Sequence, residues 1–132
     1  MRILVADDAP IVRAGLKLLL ETHEGWNVCG EAEDGEDAVQ KAFALNPDVV
    51  LLDVAMPNLS GIDAAEIIKK YLPSATIYFV TQYDSLEMAR ATAEVGARGY
   101  IAKVHIPTDL VPAIEAGVDF PPPAVPPAEA KP

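Results

Sequence analysis

Cysteine is nearly missing from this chain of 132 residues: Cys29 is the only one, which excludes an intrachain disulfide and any cysteine-built metal site. It lies in the strand-like run Trp26-Asn27-Val28-Cys29-Gly30, where a buried structural thiol is expected and a nucleophile is not. Histidine is almost as scarce. His23 and His105 are far apart and lack ligand spacing, so both are expected on the surface or in loops. Basic residues are short too, ten Lys and Arg against twenty Asp and Glu, for a formal net charge of -10. Nucleic-acid-binding surfaces are usually basic, so no direct DNA contact by this segment is expected. No apolar run approaches the roughly 18 residues that a membrane span needs, and the N-terminus enters a strand pattern without a signal-peptide pattern. With a single thiol suited to a reducing compartment, these features predict a soluble cytoplasmic protein with no membrane association.

Hydrophobic residues make up 51% of the chain, enough for one compact core. Strand and helix patterns alternate. Arg2 to Ala6 reads as a strand, and Pro10 to Glu21 as a helix with Ile11, Val12, Leu16, Leu19 and Leu20 at helical spacing and Pro10 in its first turn. A strand near Trp26 to Glu31 precedes a helix over Gly35 to Leu45, whose inward face is assigned to Ala38, Val39, Ala42 and Phe43 before Asn46-Pro47 stops it. The apolar strand ending at Asp53 is followed by a turn, a helix over Ile62 to Leu72, and a strand from Thr76 to Thr81. Asp84 or Ser85 is suited to cap a fourth helix running to about Val95, closed by Gly96, and Gly99 to Lys103 is the fifth strand. Pro107 fits the first turn of a last helix and Pro112 its interior, so that helix is expected to be short, kinked or late. Five such units with short connections predict an α/β fold, a flavodoxin-like (βα)5 three-layer sandwich with a parallel five-stranded sheet in the order 2-1-3-4-5. The domain is expected over residues 1–118. Six of the twelve prolines fall in the last twelve residues, so residues 119–132 read as a proline-rich tail or linker. Pro123-Ala124-Val125-Pro126 formally matches a PxxP ligand, as proline-rich runs readily do, and a spacer is the expectation.

Ligands in open α/β sheets bind outside the carboxyl ends of the strands. Here those ends carry Asp7-Asp8, Asp53, Thr81 and Lys103. Close carboxylates repel unless a cation neutralises them, and Mg²⁺ commonly takes one or two carboxylates, waters and phosphate oxygens. Asp8, Asp53 and the backbone carbonyl of Ala55 are candidate inner ligands, with Asp7 beside them. Lys103 offers a point charge and Thr81 a hydroxyl donor, both suited to an aspartyl-phosphate formed at Asp53. Singly, each residue has an ordinary reading: Asp7 or Asp8 as a helix cap, Thr81 as a strand end, Tyr100 as partly buried core, Lys103 as a solvated lysine.

Jointly they resemble the response-regulator receiver domain of two-component signalling. The resemblance runs from residue 1 to about 118. It rests on Asp7-Asp8, on Leu51-Leu52-Asp53-Val54-Ala55-Met56-Pro57 with Gly61 after it, and on Thr81, Tyr100 and Lys103. The stretches Asp7 to Leu16 and Val28 to Gly35 further resemble the subgroup whose receivers usually precede a helix-turn-helix DNA-binding domain. The resemblance implies a phosphoryl group donated by a sensor histidine kinase to Asp53 with Mg²⁺. It also implies Thr81 and Tyr100 as the switch pair, a possible homodimer on phosphorylation, and no turnover of an external substrate. Gln82 is bulkier than the small residue common after the switch hydroxyl, and Ala55 and Tyr83 occupy positions that tune phosphate lifetime. An apolar Ala55 cannot orient an attacking water, which implies slow self-dephosphorylation. Pro112 is expected to weaken any dimer built on the fifth helix.

Two rivals are poorly supported. A Mg²⁺-dependent aspartyl-nucleophile phosphatase would want a second Asp two residues beyond Asp53, where Ala55 stands. A flavin module would want a glycine-rich phosphate loop after the first strand, where Asp7-Asp8-Ala9-Pro10 would repel phosphate. A receiver serving only as a scaffold would not need every reactive group. The output stays open between the receiver part of a transcriptional regulator and a stand-alone receiver acting through protein binding.

Overall fold

The computed structural model describes residues 1–82 and 85–117. Strands β1 (Arg2–Ala6), β2 (Asn27–Ala32), β3 (Val49–Asp53), β4 (Thr76–Thr81) and β5 (Gly99–Ala102) alternate with helices α1 (Pro10–Glu21), α2 (Gly35–Leu45), α3 (Gly61–Tyr71), α4 (Leu86–Val95) and α5 (Val111–Ala116). All strand pairings are parallel, in the order β2-β1-β3-β4-β5. This is the doubly wound three-layer sandwich the sequence predicts.

Alternation along each strand builds two cores, because successive side chains point to opposite faces. Leu4, Val50, Leu52, Ile77 and Phe79 pack with the alanine-rich inner faces of α2 and α3, while Ile3, Val5, Leu51, Tyr78 and Ile101 pack with Leu16 and Leu20 of α1 and with Ile114 of α5. Every residue of β3 is buried, as expected of a central strand covered on both sides. Helix starts follow local chemistry: the carboxylate of Asp34 accepts from the Asp37 amide, and the hydroxyls of Ser60 and Ser85 accept from the Asp63 and Met88 amides. Ser85 therefore caps α4; Asp84, the other candidate, lies outside the described residues. Neither Asp7 nor Asp8 caps α1, whose N-cap is Ala9.

Several expectations are corrected in detail. Ile11 is 82% exposed and Phe43 46%, since the inward stripe of each helix is narrower than the set of apolar residues it carries. Cys29 is only half-buried, because β2 is an edge strand. Strand β5 ends at Ala102, and Lys103–His105 already forms a tight 3₁₀ turn. A widened π turn over Ile106–Leu110 follows, and then the six-residue α5. Pro112, which brings no amide hydrogen, sits in the first turn of α5 instead of its interior. The expected late and short helix is thus observed. The expected tail, 119–132, lies outside the described residues.

Candidate functional site

The pairing register assembles the site. Ala6 pairs with Leu52, which sets Asp7 level with Asp53, and Asp53 pairs with Val80, which sets Thr81 one step beyond. Thr81 in turn pairs with Ala102, so Lys103 stands one step further still. Four strand ends therefore form a staircase toward one edge of the sheet.

Asp7 and Asp53 are almost fully buried, at 1% and 3% exposure, while Asp8 is exposed. One oxygen of each buried carboxylate serves its own backbone: Asp7 Oδ1 accepts from the Ala9 amide at 2.9 Å, and Asp53 Oδ1 from the Ala55 amide at 3.1 Å. The other oxygens, both Oδ2, share one cation, Lys103 Nζ, at 3.3 Å each. One carboxylate oxygen from each of Asp7, Asp8 and Asp53 lies within 4.8 Å of the other two. Beyond that ion pair, the buried Asp7 Oδ2 accepts no well-formed hydrogen bond from the described residues.

The electrostatics follow from two buried carboxylates facing one ammonium. Burial first, and then the neighbouring Asp7 charge, push the Asp53 carboxyl from its ordinary 3.8 up to about 6, against the Ala55 amide and Lys103, which pull it down. Burial works against the charge on Lys103, but the Asp53 and Asp7 carboxylates more than offset it and hold the ammonium above its ordinary 10.5. A hard divalent cation suits this donor set. It would engage the under-used Asp7 Oδ2 and relieve the repulsion between the carboxylates, so the residues present fit Mg²⁺.

Thr81 is 8% exposed at the end of β4, and Tyr100 is also 8% exposed, packed in the core beneath α4. Gln82 and Ala55 are exposed at the rim. The structure thus brings together Asp7, Asp8, Asp53 and Lys103, with Thr81 beside them, whereas Tyr100 lies in the core on β5.

Sequence reasoning missed two supports. Arg13 reaches back from α1 to the Asp7 carbonyl at 2.7 Å while its Nε pairs with Glu31 at 3.1 Å. The Asn58 amide donates to Asp34 at 2.7 Å. Arg13 left one signal, a basic residue in the first turn of a helix that follows two acids.

Comparison with known proteins decides the family. The family model described as the response regulator receiver domain matches residues 3–115. The chain belongs to the response-regulator receiver domains. It is 40% identical over 116 residues to the transcriptional regulatory protein YxjL of Bacillus subtilis, an alignment covering 88% of this chain and 53% of that protein. It is 37% identical to the chemotaxis protein CheY of Thermotoga maritima, covering 86% of this chain and 93% of CheY. Among solved structures, a LuxR-family two-component response regulator from Aurantimonas superposes with a TM-score of 0.84 at 36% identity, covering 89% of this chain and 86% of that one. The chain spans about half the length of the first curated relatives it matches. Receiver domains are signalling domains of two-component systems, and this one carries an acidic cluster able to bind a metal. Among the described residues no helix is long and apolar enough to cross a membrane.

Proposed function

We propose that this receiver accepts a phosphoryl group on Asp53 from the phosphohistidine of a sensor histidine kinase. The observation that carries the reading is the pair of buried carboxylates, Asp7 and Asp53, sharing the ammonium of Lys103. An Asp53 carboxylate oxygen forms the new bond to phosphorus as the phosphorus–nitrogen bond breaks. The electron pair of that bond stays on the donor imidazole, so no proton need leave Asp53, which is ionised above about pH 6. Lys103 Nζ, already beside Asp53, turns toward the transferred oxygens, and the Thr81 hydroxyl donates to another. Held by Asp7, Asp8, Asp53 and the Ala55 carbonyl, Mg²⁺ would supply positive charge to the phosphoryl oxygens.

Phosphate would then bias a two-state packing in which Thr81 moves inward and the Tyr100 ring stays buried. Tyr100 already occupies a buried position in this structure, so the reading expects it to exchange with an exposed rotamer when phosphate is absent. The reaction modifies the protein itself and turns over no external substrate. The domain assignment proposed is receiver over residues 1–118 and linker over 119–132, in a cytoplasmic protein that dimerises on phosphorylation. Similarity to transcriptional regulators favours an output domain beyond the linker. The 93% coverage of CheY supports the second reading, a receiver that signals by binding alone.

The test is intact mass after incubation with a small phosphodonor and Mg²⁺. The wild type is expected to gain one phosphoryl group and Asp53→Asn none; equal incorporation in both would sink the assignment.

A further inference from the structure

The loop that carries Ala55 is pinned from two sides, and only one of the pins belongs to its own strand. On the strand side, the Val54 amide donates to the Val80 carbonyl and the Gly61 amide donates to the Val54 carbonyl, each at 3.0 Å. A Cβ at Gly61 would collide with the Asp53 carbonyl, so only glycine lets the loop close this tightly over the phosphoacceptor's backbone. On the far side, the loop lies against the start of α2. A Cβ at Gly35 would collide with the Leu59 carbonyl. Asn58, in the left-handed region at φ 69, turns its side-chain amide toward Asp34, donating to Oδ2 at 2.7 Å.

Asp34 is well suited to serve as that anchor. Its Oδ1 accepts from the Asp37 amide at 2.7 Å as the N-cap of α2, leaving Oδ2 for Asn58. The Asp37 amide, and then the Asn58 amide, hold the Asp34 carboxyl below its ordinary 3.8, so it remains an acceptor throughout the neutral range. The Asp37 carboxylate accepts from the Glu33 amide at 3.2 Å and pairs with Lys41 at 3.3 Å, which fixes the turn from β2 into α2. Asn58 thus ties the middle of the loop to a capped helix.

We infer that Asp34 and Asn58 form a positioning pair for the phosphoacceptor site, acting through the Val54–Gly61 loop to hold the Ala55 carbonyl where a divalent cation needs it. The inference rests on the function proposed above. A carbonyl ligand is aimed only by its backbone, so its direction depends on what holds the loop. Strand bonds fix the two ends, and the Asn58 bond fixes the span between them.

The pair is separable from folding. Asp34→Ser keeps an N-cap oxygen for α2 while removing the acceptor of Asn58. Asn58→Gly keeps the left-handed backbone while removing the donor. In the full 132-residue chain, each substitution is expected to weaken Mg²⁺ binding, read by titration calorimetry, about tenfold. Phosphorylation should slow at limiting Mg²⁺ and recover at saturating Mg²⁺, while the metal-free thermal midpoint stays put. The double variant should lose no more than either single one. The exchanged pair Asp34→Asn/Asn58→Asp, which rebuilds the bond with the donor on the other side, should restore affinity. Unchanged Mg²⁺ affinity in both single variants, additive losses, or losses that merely track the thermal midpoint would overturn the inference while leaving Asp53 as phosphoacceptor. A wild type that takes up neither Mg²⁺ nor phosphate would overturn the functional reading, and this inference with it.

Discussion

Replacing Asp53 with Asn should make the metal-free domain more stable at neutral pH, although it removes an ion pair with Lys103. The Asp53 carboxyl titrates near 6 instead of 3.8, so ionising it in the folded protein costs about 3 kcal/mol more than in the unfolded chain. That figure is an upper bound. The site mouth is open to water at the exposed Asp8 and the Lys103 side chain, which is 29% exposed, so about 1–2 kcal/mol is expected after screening. For an acid whose pKa is raised on folding, the stabilising contribution is present below the unfolded value and is lost as pH rises through the folded one. The gap between Asp53→Asn and wild type should therefore be near zero at pH 4, open between pH 4 and about 6, and stay constant above. Urea denaturation in a chelator, repeated along that pH series, measures it directly. Saturating Mg²⁺ should narrow the gap, because it binds the folded wild type and stabilises it by mass action. An Asp53→Asn variant no more stable than the wild type at about pH 7.5 would refute the claim that burial and Asp7 outweigh Lys103.

Two further outcomes probe the neighbours of Asp53. Lys103→Met should lower metal-free stability above pH 6 by about 1 kcal/mol, since two buried carboxylates lose their shared cation while water reaches part of the site. Combining it with Asp53→Asn should recover most of that loss in the same urea titrations. Ala55→Asn should shorten the phosphoprotein half-life on the order of tenfold by orienting a water at the exposed rim, followed by loss of the added mass with time.

The order of elements and the residues that gather at the candidate site were legible because each rests on a local signal. Alternation between apolar strands and helical stripes fixed the sheet, and acids at strand ends marked the crevice. What escaped was settled by long-range contact. Helical spacing put Ile11 and Phe43 with the core, yet α1 and α2 each turn a stripe toward the sheet that excludes them. Nothing near Asn58 in sequence says that its amide will find Asp34, twenty-four residues away. The Gly35 and Gly61 motif positions were visible in the sequence, but that both lie under the same loop is known only once the chain is folded.

If Asp53 is the phosphoacceptor proposed above, the charge imbalance around it would also give a signal a way to leave the site. Two buried carboxylates share one ammonium with the exposed Asp8 beside them, so among the described residues the acids of the site outnumber the one cation paired with them. On the proposed chemistry, phosphoryl transfer exchanges one carboxylate charge for a group carrying more negative charge and three acceptor oxygens, which deepens that shortage. Held by Asp7, Asp8 and Asp53, Mg²⁺ would offset part of it. The remaining demand would fall on side chains at the ends of β4 and β5, because the site side chains at the ends of β1 and β3 are acids. Thr81 and Lys103 stand one and two steps beyond Asp53 in register, so on the proposed chemistry answering the phosphate would displace the strand ends that carry them. Tyr100 lies on β5, three residues before Lys103, and packs in the same core as Met88 of α4. On the proposed chemistry, a pull on these two strand ends would reach the α4 and β5 face, and the energy available to move it would be what the uncompensated site withholds from the resting fold.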